Sequence, residues 1–237
     1  MPCSPALRRA GARASLATAV VLVATGCTLP ASDRTPSADP APVRELSPAD
    51  ALDALGRLPR TDRAPGGPAY DRDAFGPAWS DVDGNGCNQR DDVLLRDAEP
   101  GSTTTTRQDG CDHDVLAGTW VDPYTGARLV MTDMKDPAQA QAVQIDHVVP
   151  LAEAWRSGAS GWSAARREAF ANDLGVLVAS GGPTNAAKGD DDPAAWLPRA
   201  RFQCAYVLRW VAIKDAWDLS VDDSEDAALR RVLTQCP

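Results

Sequence analysis

The chain has 237 residues, of which 43% are hydrophobic and 24% charged, with 18 Gly and 19 Pro. This is globular composition for one domain, or at most two, and it excludes collagen, coiled coil and multi-span membrane protein. A formal charge of −9 argues against a coat or tail that neutralises phosphates over a wide basic face, and leaves room for an enzyme that meets a phosphodiester only at a metal-bearing site.

Residues 1–26 read as an export signal, with Arg8, Arg9 and Arg13 as its basic part, residues 16–24 as its apolar part, and Ala24-Thr25-Gly26 directly before Cys27. The apolar run is about half the ~20 residues that a spanning helix needs. Small residues before a Cys resemble a bacterial lipobox, although Ala24 stands where Leu is more usual. That resemblance implies cleavage before Cys27, a lipid on Cys27 and anchoring to the outer face of the bacterial cell membrane; an ordinary cleaved secretory signal is the alternative. In an oxidising compartment the even set Cys87, Cys111, Cys204 and Cys236 reads as two disulfides. The expected pairs are Cys87–Cys111 and Cys204–Cys236, because each closes a short local loop. A zinc site of four thiolates lacks any C-x-x-C knuckle to support it.

Residues 27–45 are rich in Pro, Ala and Ser and form an expected tether, which leaves 46–237 as the folded domain. Ser47 caps a helix beginning at Pro48, with Ala51, Leu52, Leu55 and Leu58 as its apolar stripe. Residues 60–67 read as loop. Asp81, Asp83 and Asn85, with Asp92 at the twelfth position, match the spacing of a calcium loop; a plain Asx and Gly turn is the rival, and Asn88 stands where an apolar residue belongs. The threonine run 102–106 reads as an exposed loop. His113, between Asp112 and Asp114, is a surface histidine or a metal ligand. Residues 115–121, a turn over 122–126 and residues 127–131 predict a hairpin, and 143–149 a third strand that stops at Pro150. Helices are expected over 151–156 and 163–172, a strand over 176–179, a short helix after Pro183, and longer helices over 202–217 and 222–233. The expected class is α+β, a mostly helical domain with a short β-hairpin and two disulfides.

Only two histidines exist, and neither H-E-x-x-H nor G-x-S-x-G occurs, which removes two-histidine zinc hydrolases and elbow-type serine hydrolases. Asp146-His147 ends the third strand, and Asn172, Asn185 and Lys188 follow it. Singly these are a local hydrogen bond, two caps and a solvated charge. Together they resemble the HNH (ββα-metal) nuclease finger. A secreted branch of that superfamily is matched more widely by the stretches 70–79, 81–87 and 122–126, by Ala154-Trp155, Gly158-Ala159 and Trp162, by Trp196-Leu197-Pro198, and by Cys204 and Cys236.

The resemblance spans the chain from Leu46 onward and implies an endonuclease, monomeric, that hydrolyses phosphodiester bonds of DNA or also RNA with one Mg²⁺ or Mn²⁺. It implies Asp146 and Asn185 as metal ligands, His147 as general base, Asn172 as the residue that orients the imidazole, and Lys188 as a phosphate contact. Arg90 and Lys214 are candidates for further phosphate contacts. One departure is that Asn185 stands where the finger's last ligand is often His, and an amide oxygen favours a hard cation over zinc. The rival readings are a non-catalytic cell-surface lipoprotein binding module on the same fold, and a calcium-stabilised interaction protein built on the Asp81 loop.

Overall fold

The computed structural model describes residues 42–61 and 68–237. The expected signal, the lipid site at Cys27 and most of the tether lie outside the described residues, as does nearly all of the expected loop 60–67. No helix among the described residues is long and apolar enough to cross a membrane.

Helix α1 is Pro48–Arg57, with Pro in its first turn and Ser47 Oγ accepting the Asp50 N–H at 3.2 Å. It buries Ala51, Ala54 and Leu55. Helix α2, Gln89–Asp97, stands where the sequence offered only the acidic loop. Asn88 caps it by accepting the N–H groups of Arg90 and Asp91 at 3.0 and 3.2 Å. Val93 and Leu94 on α2 are fully buried.

A three-stranded antiparallel sheet has the order β1 (Thr104–Gln108), β2 (Cys111–Val121) and β3 (Arg128–Met131). The expected hairpin is β2–β3. The threonine run is not a loop but largely the outermost strand β1, all five of whose residues are exposed, because β-branched threonines pair well along β2 even with no face to bury. Its register breaks between Thr104 and Thr105 and again between Thr106 and Gln108. The turn between β2 and β3 closes through Gly126 N–H to Asp122 O at 2.8 Å. Gly126 has φ +72, and a Cβ there would strike the Arg201 guanidinium and the Phe202 ring, so only glycine fits.

After the short α3 (Pro137–Ala140), strand β4 (Val143–His147) pairs antiparallel with β5 (Leu177–Gly181), His147 facing Leu177 and Asp146 facing Val178. Two helices lie between them in sequence, α4 (Leu151–Arg156) and α5 (Ala164–Ala171), and α6 (Gly182–Lys188) follows β5 without a gap. β4, β5 and α6 therefore form a ββα unit. Helices α7 (Gln203–Ala216) and α8 (Asp223–Leu233) complete the expected α+β fold.

Two apolar clusters sit on either side of this unit. The larger gathers α1, α4, α7 and α8 around Phe75, Phe170, Trp210 and Trp217. The smaller joins α2 to both sheets through Leu94, Trp120, Ile145 and Leu177, where Trp120 Nε1 donates to Leu94 O at 2.8 Å. Both expected disulfides are present. Cys87–Cys111 ties the segment before α2 to the start of β2, and Cys204–Cys236 ties the first turn of α7 to the chain's end.

Candidate active site

Strand alternation at the end of β4 sends Ile145 toward the smaller core and Asp146 the other way. Asp146 is 5% exposed. Its Oδ1 accepts from Lys188 Nζ at 2.9 Å and its Oδ2 from the Tyr124 hydroxyl at 2.5 Å. Burial raises the Asp146 carboxyl above the usual range, and the Lys188 ammonium and Tyr124 hydroxyl oppose that rise. Tyr124 is itself placed by Asp122, which accepts the Tyr124 N–H at 2.8 Å on one oxygen and the Gly181 N–H at 3.3 Å on the other. The hairpin turn is thereby joined to the start of α6.

His147, at the strand's last position, contacts the Ala171 carbonyl through Nε2 at 2.9 Å. A carbonyl only accepts, so Nε2 carries the proton and the neutral ring keeps its lone pair on Nδ1. Burial lowers the imidazole pKa to about 4, the Ala171 carbonyl opposes the change, and the positive charges of Arg72 and Lys188 add to it. The ring is thus a neutral base at a lower pH than an unperturbed histidine would be. Trp79 stacks on the imidazole with centroids 6.5 Å apart and planes 18° from parallel. Trp79 holds a φ of 62, unusual for a bulky residue.

Asn172 does not orient the imidazole directly. Its Oδ1 accepts the Ser80 N–H at 3.0 Å and its Nδ2 donates to Glu168 O at 2.9 Å, while Ser80 Oγ donates to Glu168 Oε1 at 3.1 Å. Asn172 ends α5, so the residue before it turns its carbonyl to His147 while its own amide latches the loop bearing Trp79.

A cleft of about 450 Å³ opens over this end of β4, and Tyr70, Arg72, Asp146, His147, Asn185 and Asp190 are among the residues that line it. Asn185 donates through Nδ2 to Gln144 Oε1 at 3.0 Å, which leaves its amide oxygen as an acceptor. Asp146 and Asn185 therefore bring a carboxylate and an amide oxygen to one cleft, a donor set that fits Mg²⁺ or Mn²⁺. Among the described residues, the one close grouping of His, Cys, Asp and Glu ligand atoms is Cys87, Cys111 and His113. Its two sulfurs form a disulfide, so it offers no thiolates to a metal.

The remaining expected residues lie elsewhere or act otherwise. Lys188 is wholly buried and spends its ammonium on Asp146 and on His147 O at 2.9 Å, so it braces the strand end rather than meeting a phosphate. Lys214 is also wholly buried, bonded to Glu153, Glu225 and Ser220 O beneath α4. Arg90 points its guanidinium at Val143 O and Met134 Sδ, at the far end of β4 from the site. In the Asp81 loop the carboxylate of Asp81 accepts the N–H groups of Gly84, Asn85 and Gly86, Asn85 Nδ2 donates to Asp83 and Asp92 at 3.2 and 3.1 Å, and Asp92 also meets His113 Nε2 at 2.7 Å. The loop is an Asx turn closed on its own backbone, and among the described residues its carboxylates do not form a close grouping of three ligand atoms such as a calcium loop offers. His113 pairs with Asp92 and Asp112, and these two carboxylates raise its pKa against the opposing effect of burial.

Four residues at or beside the cleft escaped the sequence reading: Tyr70, Arg72, Trp79 and Tyr124. Their segments belong to the resemblance, but nothing in their spacing points at the end of β4.

Residues 88–232 match the family model described as GmrSD restriction endonucleases, C-terminal domain. An uncharacterized secreted protein of Arthroderma benhamiae is 40% identical over 177 residues, covering 73% of this chain and 79% of that protein. No solved structure matches the chain. With more than half of its length inside the family model, the chain belongs to the family of GmrSD restriction endonuclease C-terminal domains, a nuclease family.

Proposed function

We propose that this protein is an exported endonuclease of the HNH type, hydrolysing phosphodiester bonds of DNA or RNA with one divalent cation and a histidine base. The observation that carries the reading is the His147–Ala171 hydrogen bond. It fixes the tautomer whose Nδ1 takes a proton from water, and the same carbonyl stabilises the imidazolium that results. Asp146 is held rigidly by Tyr124 and Lys188 beside that base. Asp146 and Asn185 would hold the cation, whose chemistry when bound is to stabilise negative charge on the reacting phosphate and the departing 3′ oxygen.

Export is supported by the word secreted in the relative's description and by two disulfides, which persist in oxidising compartments. Lipid on Cys27 would then keep the protein at the membrane. Mass spectrometry of the mature N-terminus tests this, and an unmodified terminus elsewhere overturns it.

The test of activity is incubation with plasmid, linear DNA and RNA, with and without Mg²⁺. Cleavage is expected with the metal and is abolished by EDTA. His147→Ala is expected to lower the rate on the order of 10²- to 10⁴-fold without unfolding the protein. A His147→Ala variant that cuts as fast as its parent overturns the reading.

A further inference from the structure

We propose that Arg72 is the residue that receives the nucleic-acid phosphate in the cleft, a role that rests on the nuclease reading above. Among the described residues, Arg72 is the one lysine or arginine that lines the cleft. The cation that the strand-end pattern offers for this task, Lys188, is wholly buried and neutralised by Asp146. On a chain of net charge −9, a polyanion needs a local cation at the point of reaction.

Arg72 has the required freedom and the required placement. It is exposed, and among the described residues it has no carboxylate partner within ion-pair distance. The nearby acids are occupied: Asp190 accepts from Arg156 Nη1 at 2.7 Å, and Asp71 Oδ1 accepts the Asp73 N–H at 3.0 Å. Arg72 and His147 line the same cleft.

The backbone beneath it is fixed from several sides. Phe75, in the 3₁₀ turn Asp73–Phe75, is buried in the larger core, Arg167 Nε donates to Ala74 O at 2.8 Å, and the Tyr70 ring meets Phe75 and Trp155. A planar guanidinium held this way presents two parallel N–H groups to phosphate oxygens. Arg72 lies ahead of the stretch 88–232 that matches the family model.

The experiment measures binding of fluorescein-labelled DNA and RNA oligonucleotides by anisotropy, in EDTA, to full-length protein carrying His147→Ala, so that nothing is cut. Adding Arg72→Ala is expected to weaken binding about 10-fold near ~0.1 M salt and to reduce the slope of log K against log[salt] by about 1. Arg72→Lys is expected to restore the slope and only part of the affinity, because it keeps the charge and loses the fork. Melting temperatures are expected to match, since the side chain is exposed.

If the His147→Ala background binds and the parent cuts, but Arg72→Ala changes neither affinity nor slope, the proposal is overturned and the nuclease reading stands. If the background binds no nucleic acid and the parent cuts none, both are overturned.

Discussion

Asn172 Oδ1 accepts the backbone N–H of Ser80 at 3.0 Å, so the helix that ends under the imidazole also fixes the loop lying over it. Replacing Asn172 with Ala leaves that N–H unpaired beside a tryptophan in an unfavourable backbone conformation. The expected cost is about 1–3 kcal/mol. The amide of Ser80 is expected to lose hydrogen-exchange protection, and cleavage to fall although Asn172 does not touch the imidazole. Asn172→Asp, which keeps the acceptor, is expected to recover part of the protection. Unchanged exchange at Ser80 in Asn172→Ala contradicts this.

Lys188 and Asp146 are a buried ion pair. Lys188→Met strands a carboxylate with only Tyr124 for company, which is expected to cost about 3–5 kcal/mol in urea unfolding. A solvent-facing phosphate lysine would change stability by less than about 0.5 kcal/mol. The size of the loss therefore separates a brace from a substrate contact.

Tyr124→Phe removes one hydroxyl and nothing else from the other oxygen of Asp146. A hydrogen bond to a charged group contributes about 1.5–3 kcal/mol, so the variant is expected to melt lower by the equivalent amount. With its carboxylate less rigidly aimed, it is also expected to need more Mn²⁺ for half-maximal binding, read by calorimetry. Equal affinity in parent and variant rules out a positioning role for the hydroxyl.

Lys214 stands between Glu153 at 2.9 Å and Glu225 at 2.8 Å, all three side chains fully buried. Burial raises Glu225 to about 7; Lys214 opposes the shift and Glu153 adds to it. Because this folded-state pKa lies above the unfolded value, Glu225's stabilising contribution is complete below about 4.5 and is lost as pH climbs through about 7. Glu225→Gln removes that titration. Urea unfolding from about pH 5 to about pH 8 is expected to show the variant gaining stability relative to the parent as pH rises. Parallel profiles would refute the assignment.

Much of the fold is legible because its elements carry their own period. In α7 the recurrence of Tyr206, Trp210 and Ile213 marks a buried face before any contact is known. Helix α2 is hidden by the opposite circumstance: charges surround the run Val93-Leu94-Leu95, and its cap Asn88 looks like a flaw in a calcium pattern. Strand β1 has no alternation to read, since every residue faces solvent.

At the cleft, Asp146 and His147 are adjacent on β4, and Asn185 comes from the helix that follows its partner strand, so one local unit brings them together. Tyr124 reaches Asp146 from 22 residues upstream, and Arg72 arrives on an arm pinned by core aromatics. Such meetings depend on tertiary packing that spacing does not encode. Lys188 and Lys214 mislead for a related reason. A lysine reads as solvated, and only the fold shows carboxylates waiting inside for both.

The outer edge of β1 has a bearing on self-association. A bare strand edge offers unpaired N–H and C=O groups on which another molecule's strand can grow, and threonine-rich β-formers make that template more dangerous. Here the two slips in pairing with β2 bend the edge out of flatness, and Arg107 adds a repelling charge near its end. The same irregularities that make β1 hard to recognise as a strand are of the kind that disfavour edge-to-edge growth of a sheet.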